Sequence, residues 1–496
     1  MTIASSNQAA YPQSINLFVK PHQEGEPHVN KIFDVVVIGG GGGGYPAALR
    51  IAHSGRSVLM IDEKGNLGGN CLFEGCVPSK AVREAAALAM SIRGAEYFGL
   101  EAEIELPRWD RIRAYKDRIQ THRYAQHQSE IEEAALLTMV RGVGRFVTDH
   151  NIAVEDWDRE TTEVVTGHHI IVATGSEIKG LEIPGAEYIW NSHHLFAWHE
   201  AVRELPLDVT ILGGGYIGVE TASMLSSLGI HVTLLEMAPS ILPGMDQDLI
   251  KVVAGHMSQR GVKIETGVRV EGVSRVAGGQ YRVSGHRVFG NRPAEWVTQQ
   301  VIQAVGRSPS LPADLGLEKA GVDYTAKGIV VDGTMRTNVP HIYAPGDVNG
   351  LSMLFHSAVR MSEIVAHEIL RDGHAEDTFN PKEMPQTVFA DPEAMSVGFT
   401  ADEARSAGIK VWEETRPMGV EAKAQIMGNT EGFLKMVVSR QNGEIIGMQA
   451  VGIDAADLSS VAHVAVKMGL TPRDIARMTF AHPTQFEVVD RLARSI

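Results

Sequence analysis

Two stretches decide the fold: Asp34–Gly44, which reads DVVVIGGGGGG, and Asp208–Gly218, which reads DVTILGGGYIG. In each, an aspartate opens a short apolar run that ends in a glycine-rich turn, and the second copy begins 174 positions after the first. Both carry a full GxGxxG pattern, with Gly39, Gly41 and Gly44 in the first and Gly213, Gly215 and Gly218 in the second. An apolar stretch of helical character follows, then a second apolar strand, Val58–Ile61 or Val232–Leu235. That strand is closed by an acid, Asp62 or Glu236, 23 residues after the first glycine in both copies. A lone glycine pattern is weak evidence, but strand, turn, helix, strand and acid in register predict a dinucleotide-binding unit, and the repetition predicts two. Glycines let the backbone approach a pyrophosphate, whose charge the amides and dipole at the helix start stabilise. The closing acid accepts hydrogen bonds from ribose hydroxyls. Glu63 adjoins Asp62 as a second candidate for the first ribose, and the equal spacing favours Asp62. Glu236 is followed by Met237 and Ala238 with no nearby arginine to receive a 2′-phosphate, so NAD is favoured over NADP.

Outward from these units, 496 residues exceed what one hydrophobic core organises, and three or four packed domains are expected. An excess of 60 acidic over 45 basic residues repels nucleic-acid phosphates, and no basic patch reverses it. The chain has no apolar run long enough to cross a membrane. Its first 30 residues, with Lys20 as their single lysine and no arginine, fit neither a secretory signal nor a transit peptide and read as a polar extension. Further strand-to-turn signals occur at Val172–Ser176, Gln303–Pro309 and His341–Gly350, the last with an acid placed to meet a cofactor ribityl chain. From about Pro381 the texture changes to apolar strands, Phe433–Val438 and Ile445–Ala450, before a helical Ala456–Met468, an α+β unit suited to subunit contacts.

Cys71 and Cys76 are the only cysteines, which excludes a disulfide-stapled secreted scaffold and fits a reducing cytoplasm. They lie in GGNCLFEGCVPSK, Gly68–Lys80, with four residues between them. That spacing is too wide for a CxxC redox motif, and no second pair completes a zinc site, so no metal centre is expected. Ala81–Met90 is strongly helix-forming and Pro78 suits the first turn, so a thiolate at Cys76 would sit near amides and a dipole that lower its pKa.

The GGxCxxxxGCxPSK block, both fingerprints, the ATG and IYAxGD turns and a C-terminal HPTxxE resemble the flavoprotein disulfide reductases, a family that includes dihydrolipoyl dehydrogenases, glutathione reductases and mercuric reductases. The resemblance spans residues 31–496. It implies an α/β fold with an FAD-binding domain at 31–180, an NAD-binding domain at 181–305, a central segment at 306–380 completing the first, and a dimerisation domain at 381–496. It also implies that Cys71 and Cys76 form a redox-active disulfide beside the flavin, Cys76 facing the ring and Cys71 exchanging with substrate. Lys80 would approach the flavin and pair with Glu220. Gly144, Thr174, Gly175, Asp347 and Met353, Leu354 and His356 match further FAD-contacting positions; Val270 and Gly306 match NAD-contacting ones.

In Phe480–Glu487, FAHPTQFE, Pro483 is expected to hold His482 extended at the start of a helix, with Glu487 one turn inside and able to reach a ring nitrogen. A base of that kind is what a dithiol needs in order to attack a disulfide. By the resemblance, His482 and Glu487 enter the site from the other subunit of a homodimer. The expected substrate is the dihydrolipoyl-lysine of a carrier protein or multienzyme complex; the alternative is a reductase of another small disulfide, like glutathione reductase. Leu72–Glu74, Asn70, Phe480, Phe486 and Tyr216 depart from the commonest dehydrogenase pattern. The two added aromatics beside His482 are expected to narrow or redirect the disulfide channel.

Overall fold

The computed structural model describes residues 31–104, 107–374 and 377–496, so the polar extension at 1–30 lies outside the described residues. The first fingerprint belongs to a parallel sheet in which Lys31–Ile38 lies between Val58–Asp62 and Thr161–Val172. Leu137–Phe146 extends that sheet beyond Val58–Asp62, and the short strand Ile342–Tyr343 pairs with Thr161–Val172 on the other side. Asn151–Asp156 runs antiparallel to both long strands. The near-continuous apolar character of Val35–Ile38 follows from this position. Strands covered on both faces have no polar side to present, and Val35, Val36 and Val37 are fully buried.

The duplication holds in three dimensions. In the first unit Ile38 sits level with Ile61 and Val172; in the second, Leu212 sits level with Leu235 and Gln303. Both glycine turns therefore leave the C-terminal edge of a parallel sheet beside the acid that ends the neighbouring strand, where open α/β sheets bind ligands. The second sheet runs Gln300–Gln303, Asp208–Leu212, His231–Leu235, Lys263–Glu265, and carries a three-stranded antiparallel appendage of Val268–Arg275, Tyr281–Arg287 and Arg292–Thr298.

The C-terminal unit is a five-stranded antiparallel sheet ordered Gln386–Val388, Ala394–Gly398, Ile445–Gly452, Gly432–Ser439, Val411–Pro417. Helices Ala455–Lys467 and Glu487–Ala493 cover one face, burying Leu458, Ala462, Val488 and Leu492 among Met436, Met448 and Leu434. The mixed α/β architecture and the α+β texture after Pro381 agree with the sequence reading. The last helix begins at Glu487 and not at Pro483. Pro483 follows a cis peptide bond, and 482–486 is a turn in which Thr484 donates its hydroxyl to Ala481 O at 2.8 Å. Among the described residues no helix is long and apolar enough to cross a membrane.

Candidate active site

The first fingerprint, the cysteine block and one face of the helix Tyr216–Ser227 border a single cavity of about 1250 Å³. Within the fingerprints the glycines divide by physical role. A Cβ on Gly39, which has φ of +107°, would lie 2.2 Å from Ala173 O, and one on Gly213, at φ +104°, would lie 2.5 Å from Ala304 O. Those positions are glycine because backbone packs on backbone. Around Gly215 a Cβ would meet nothing within 4 Å, and around Gly41 only Gly69 Cα at 3.9 Å. Space is held open there beside main-chain amides at a helix start, a cradle that a phosphate would fill and a side chain would block.

Asp62 and Glu236 occupy equivalent places. Asp62 accepts the N–H of Gly40 at 2.7 Å and of Lys64 at 2.8 Å; Glu236 accepts those of Gly214 at 2.5 Å and Ala238 at 2.6 Å. Each acid thus pins its own glycine turn, and burial raises the Asp62 carboxyl above its ordinary range. Asp62 and Glu63 both line the cavity, as do Gly39, Gly41, Gly144, Thr174, Gly175, Asp347, Met353, Leu354 and His356; Gly44 packs behind the turn. Asp347 accepts from Ser176 Oγ at 2.6 Å, and Arg307 Nε donates to the same hydroxyl at 2.8 Å. Burial pushes the Asp347 carboxyl upward. Gly213, Gly215, Gly218, Glu236, Val270 and Gly306 do not border this cavity. They belong to the second unit, whose helix residues Tyr216, Ile217 and Glu220 do.

Cys71 lies in the short helix Gly69–Phe73, and Cys76 is the first residue of the helix Cys76–Arg93. Both thiols are free and both line the cavity, toward which Cys76 is exposed. A hydrogen bond from Cys71 and then the charge of Lys80 draw Cys76 down to about 7 against the opposing effect of burial. Donating that bond, together with burial, pushes Cys71 up. The pair is therefore asymmetric, with Cys76 the thiolate and Cys71 its donor. One helical turn on, Lys80 donates to Glu220 Oε2 at 2.5 Å. Glu220 Oε1 accepts the Phe389 N–H at 2.9 Å, and Lys80 Nζ lies 4.5 Å from the Phe389 ring centroid.

The residues between the sulfurs are bolted in place. Lys116, fully buried, donates to Gln120 Oε1 at 2.8 Å and to the carbonyls of Phe196 and Ala197 at 3.2 and 3.1 Å. Gln120 Nε2 in turn donates to Leu72 O at 2.9 Å and Phe73 O at 3.0 Å. Phe73 packs with Tyr124 and Trp198, and Glu74 pairs with His193 Nδ1 at 2.6 Å. Asn70 donates to Ser176 O at 3.1 Å. The unusual Leu72–Glu74 and Asn70 thus have local partners suited to them. Phe389, Arg307, His193 and Lys116 are site residues that sequence reasoning missed; only Arg307, beside the Gly306 turn, carried a signal.

His482 and Glu487 do not border the cavity. His482 Nδ1 lies 3.0 Å from Glu487 Oε2, and its side chain is 65% exposed. With Nδ1 facing the carboxylate, Nε2 is the nitrogen left to exchange a proton with a substrate. Burial disfavours the Glu487 carboxylate, but hydrogen bonds from His482 and the Thr484 N–H outweigh it and hold the group below its ordinary range. Phe480 and Phe486 pack against the core of the C-terminal unit, so at least part of each ring anchors the turn in place of lining a channel.

Residues 33–362 match the family model for pyridine nucleotide-disulphide oxidoreductases, and residues 384–493 match the dimerisation domain of the same group. Similar curated proteins include a dihydrolipoyl dehydrogenase of Bacillus subtilis, 33% identical with 92% of this chain and 96% of the relative covered. Another is the dihydrolipoyl dehydrogenase of Mycobacterium tuberculosis, 35% identical with 92% and 96% covered. Among solved structures, the HOCl-induced flavoprotein disulfide reductase RclA from Escherichia coli, solved as a Cu(II) complex, superimposes with a TM-score of 0.81 at 26% identity, covering 94% of this chain and 100% of RclA. Motifs, duplicated nucleotide folds, cavity and cysteine pair agree with these matches: the chain belongs to the pyridine nucleotide-disulphide oxidoreductase family.

Proposed function

We propose that this chain is an FAD-containing, NAD-linked dihydrolipoyl dehydrogenase acting as a homodimer. The observation that carries the reading is the meeting of Cys71, Cys76 and the Lys80–Glu220 pair in the cavity bordered by the first fingerprint. FAD is assigned to that cavity, across the unit at 31–180 completed by 306–380, and NAD to the second fingerprint, in the unit at 181–305. Bound FAD would accept an electron pair and pass it as hydride to NAD. The protein's own part is thiol chemistry. His482 Nε2 takes the proton of one thiol of dihydrolipoyl-lysine, and the thiolate attacks Cys71 of the oxidised pair, releasing Cys76 as thiolate. The second substrate thiol closes on the first sulfur while its proton passes to the departing Cys71 sulfur, the Cys71 bond breaks, and the substrate leaves as a cyclic disulfide. Two electrons remain on the Cys71–Cys76 pair, and Lys80 holds a positive charge beside the Cys76 thiolate that must surrender them.

The exposure of His482 and its place outside the cavity favour its delivery by a partner subunit, in keeping with the dimerisation-domain match at 384–493. A lipoyl-bearing carrier or multienzyme complex is the natural electron source, and the reducing cytoplasm the natural setting for the lone cysteine pair. Reduction of another small disulfide is a second reading, supported by Tyr216, which borders the cavity and donates to Gln386 Oε1 at 2.8 Å. Steady-state assays of dihydrolipoamide with NAD against glutathione disulfide with NADH separate them. Turnover of dihydrolipoamide is expected, and its absence in both directions overturns the first reading.

A further inference from the structure

At the end of the first sheet away from the nucleotide cavity, the turn between Leu137–Phe146 and Asn151–Asp156 brings Asp149 and His150 against His341, which precedes Ile342–Tyr343. None of the three borders the cavity. One ligating atom from each lies within 4.8 Å of the others. The two imidazoles are stacked, centroids 3.7 Å apart and planes within 3°. Two imidazolium ions would repel in such a stack, so at least one ring is neutral, the form that binds metals.

The hydrogen bonds define the tautomers. His150 Nδ1 lies 2.8 Å from Gly167 O, and His341 Nε2 lies 3.1 Å from Asp149 O. A carbonyl only accepts, so each ring gives one N–H to the backbone, and in the neutral form the lone pair falls on His150 Nε2 and His341 Nδ1. An outer backbone carbonyl fixing the tautomer of a ligating histidine is the usual support of metal-bound imidazole. The backbone beneath is set by the sheet, with Gly167 N donating to His150 O at 2.9 Å and Ile170 N to His341 O at 2.9 Å.

We propose that Asp149, His150 and His341 form a binding site for a divalent transition-metal ion of borderline softness, with Zn(II) as the representative, separate from the redox centre. Imidazole with carboxylate suits such ions, and the half-exposed Asp149 leaves solvent to complete the shell. The rings must fan apart for both lone pairs to meet one ion. The soft Cβ–Cγ torsion of histidine allows this, at the cost of lengthening the ring hydrogen bonds to Gly167 O and Asp149 O. A bound ion would tie the 147–151 turn to the strand at 342, on the far side of Thr161–Val172.

The test is a Zn(II) titration of the holoenzyme with Cys71 and Cys76 oxidised, so that thiolates do not compete. One ion per chain is expected, with affinity lowered at least about tenfold in both H150Q and H341Q. D149N, on an exposed turn where the fold tolerates it, is expected to weaken binding several-fold. Zn(II) is also expected to raise the thermal midpoint of the wild-type holoenzyme, and to raise that of D149N by less at the same concentration. Absence of binding at micromolar Zn(II), or binding indifferent to all three substitutions, overturns the proposal.

Discussion

Phe389 and Glu220, 169 positions apart, are joined through the main chain: the Phe389 N–H donates to Glu220 Oε1 at 2.9 Å while Lys80 occupies the other oxygen. The C-terminal unit thereby holds the acid that holds the lysine beside the cysteines. Replacing Phe389 with alanine keeps the main-chain bond and removes the ring from Lys80. A partly exposed cation–π contact contributes about 0.5–1 kcal/mol, so turnover should fall by roughly two- to fivefold, whereas E220Q, which removes the charge itself, should cost more. Stopped-flow reduction and steady-state rates for both variants check the order; equal losses would sink the argument.

Cys76 in the reduced enzyme should titrate about 7, well below a free thiol. Its alkylation by iodoacetamide should therefore be slow in acid, rise through about pH 7 and level off above it. Removing the Cys71 donor with C71A, or the Lys80 charge with K80M, removes a cause of the lowering. Each midpoint should move upward, by about one pH unit for the lost charge. A midpoint unmoved in both variants would show that the helix start alone sets the thiolate.

The division among the glycines predicts opposite outcomes for one substitution. Gly39→Ala forces a Cβ to 2.2 Å from Ala173 O at positive φ and should cost about 2–3 kcal/mol of stability. Gly215→Ala meets open space, so its thermal midpoint should stay near that of the wild type while NADH binding weakens about tenfold, or about 1.4 kcal/mol. Thermal unfolding beside a binding titration reads both.

Glu487 has a second partner. Arg491 NH2 donates to Glu487 Oε1 at 3.2 Å and its other terminal nitrogen lies 3.3 Å from the buried Glu421, which also accepts from Arg416 at 2.6 Å. Arg491 thus steers the carboxylate that steers His482. With its side chain 38% exposed, screening limits each contact to about 1 kcal/mol. R491M should reduce kcat about fivefold with little change in KM for NAD, and R491K should recover part of it. A change confined to thermal stability would mark Arg491 as packing alone.

Much of this was legible in the chain because chemistry constrains residue type locally. A backbone that must touch backbone needs Gly39 and Gly213, and an apolar strand buried on both faces needs Val35–Val37. The cysteine block announced Lys80, and through the family resemblance its partner Glu220. Phe389, His193 and Lys116 were not legible, because their roles arise from contacts across 80 to more than 300 positions that no local pattern encodes. The helix start at Pro483 was misplaced for a related reason. Proline at a first turn is a permissive signal, whereas here the Thr484 hydroxyl and the Glu487 carboxylate hold 482–486 as a turn and start the helix at Glu487.

The clamp built by Lys116 and Gln120 on the carbonyls of Leu72 and Phe73 leaves the spacer between the sulfurs little freedom to drift. Joining or parting them then falls to side-chain rotation, with the main chain a fixed anvil. A joint of that kind resets in the same pose after every cycle, and a longer spacer inserted there would lose the pose before it lost the fold.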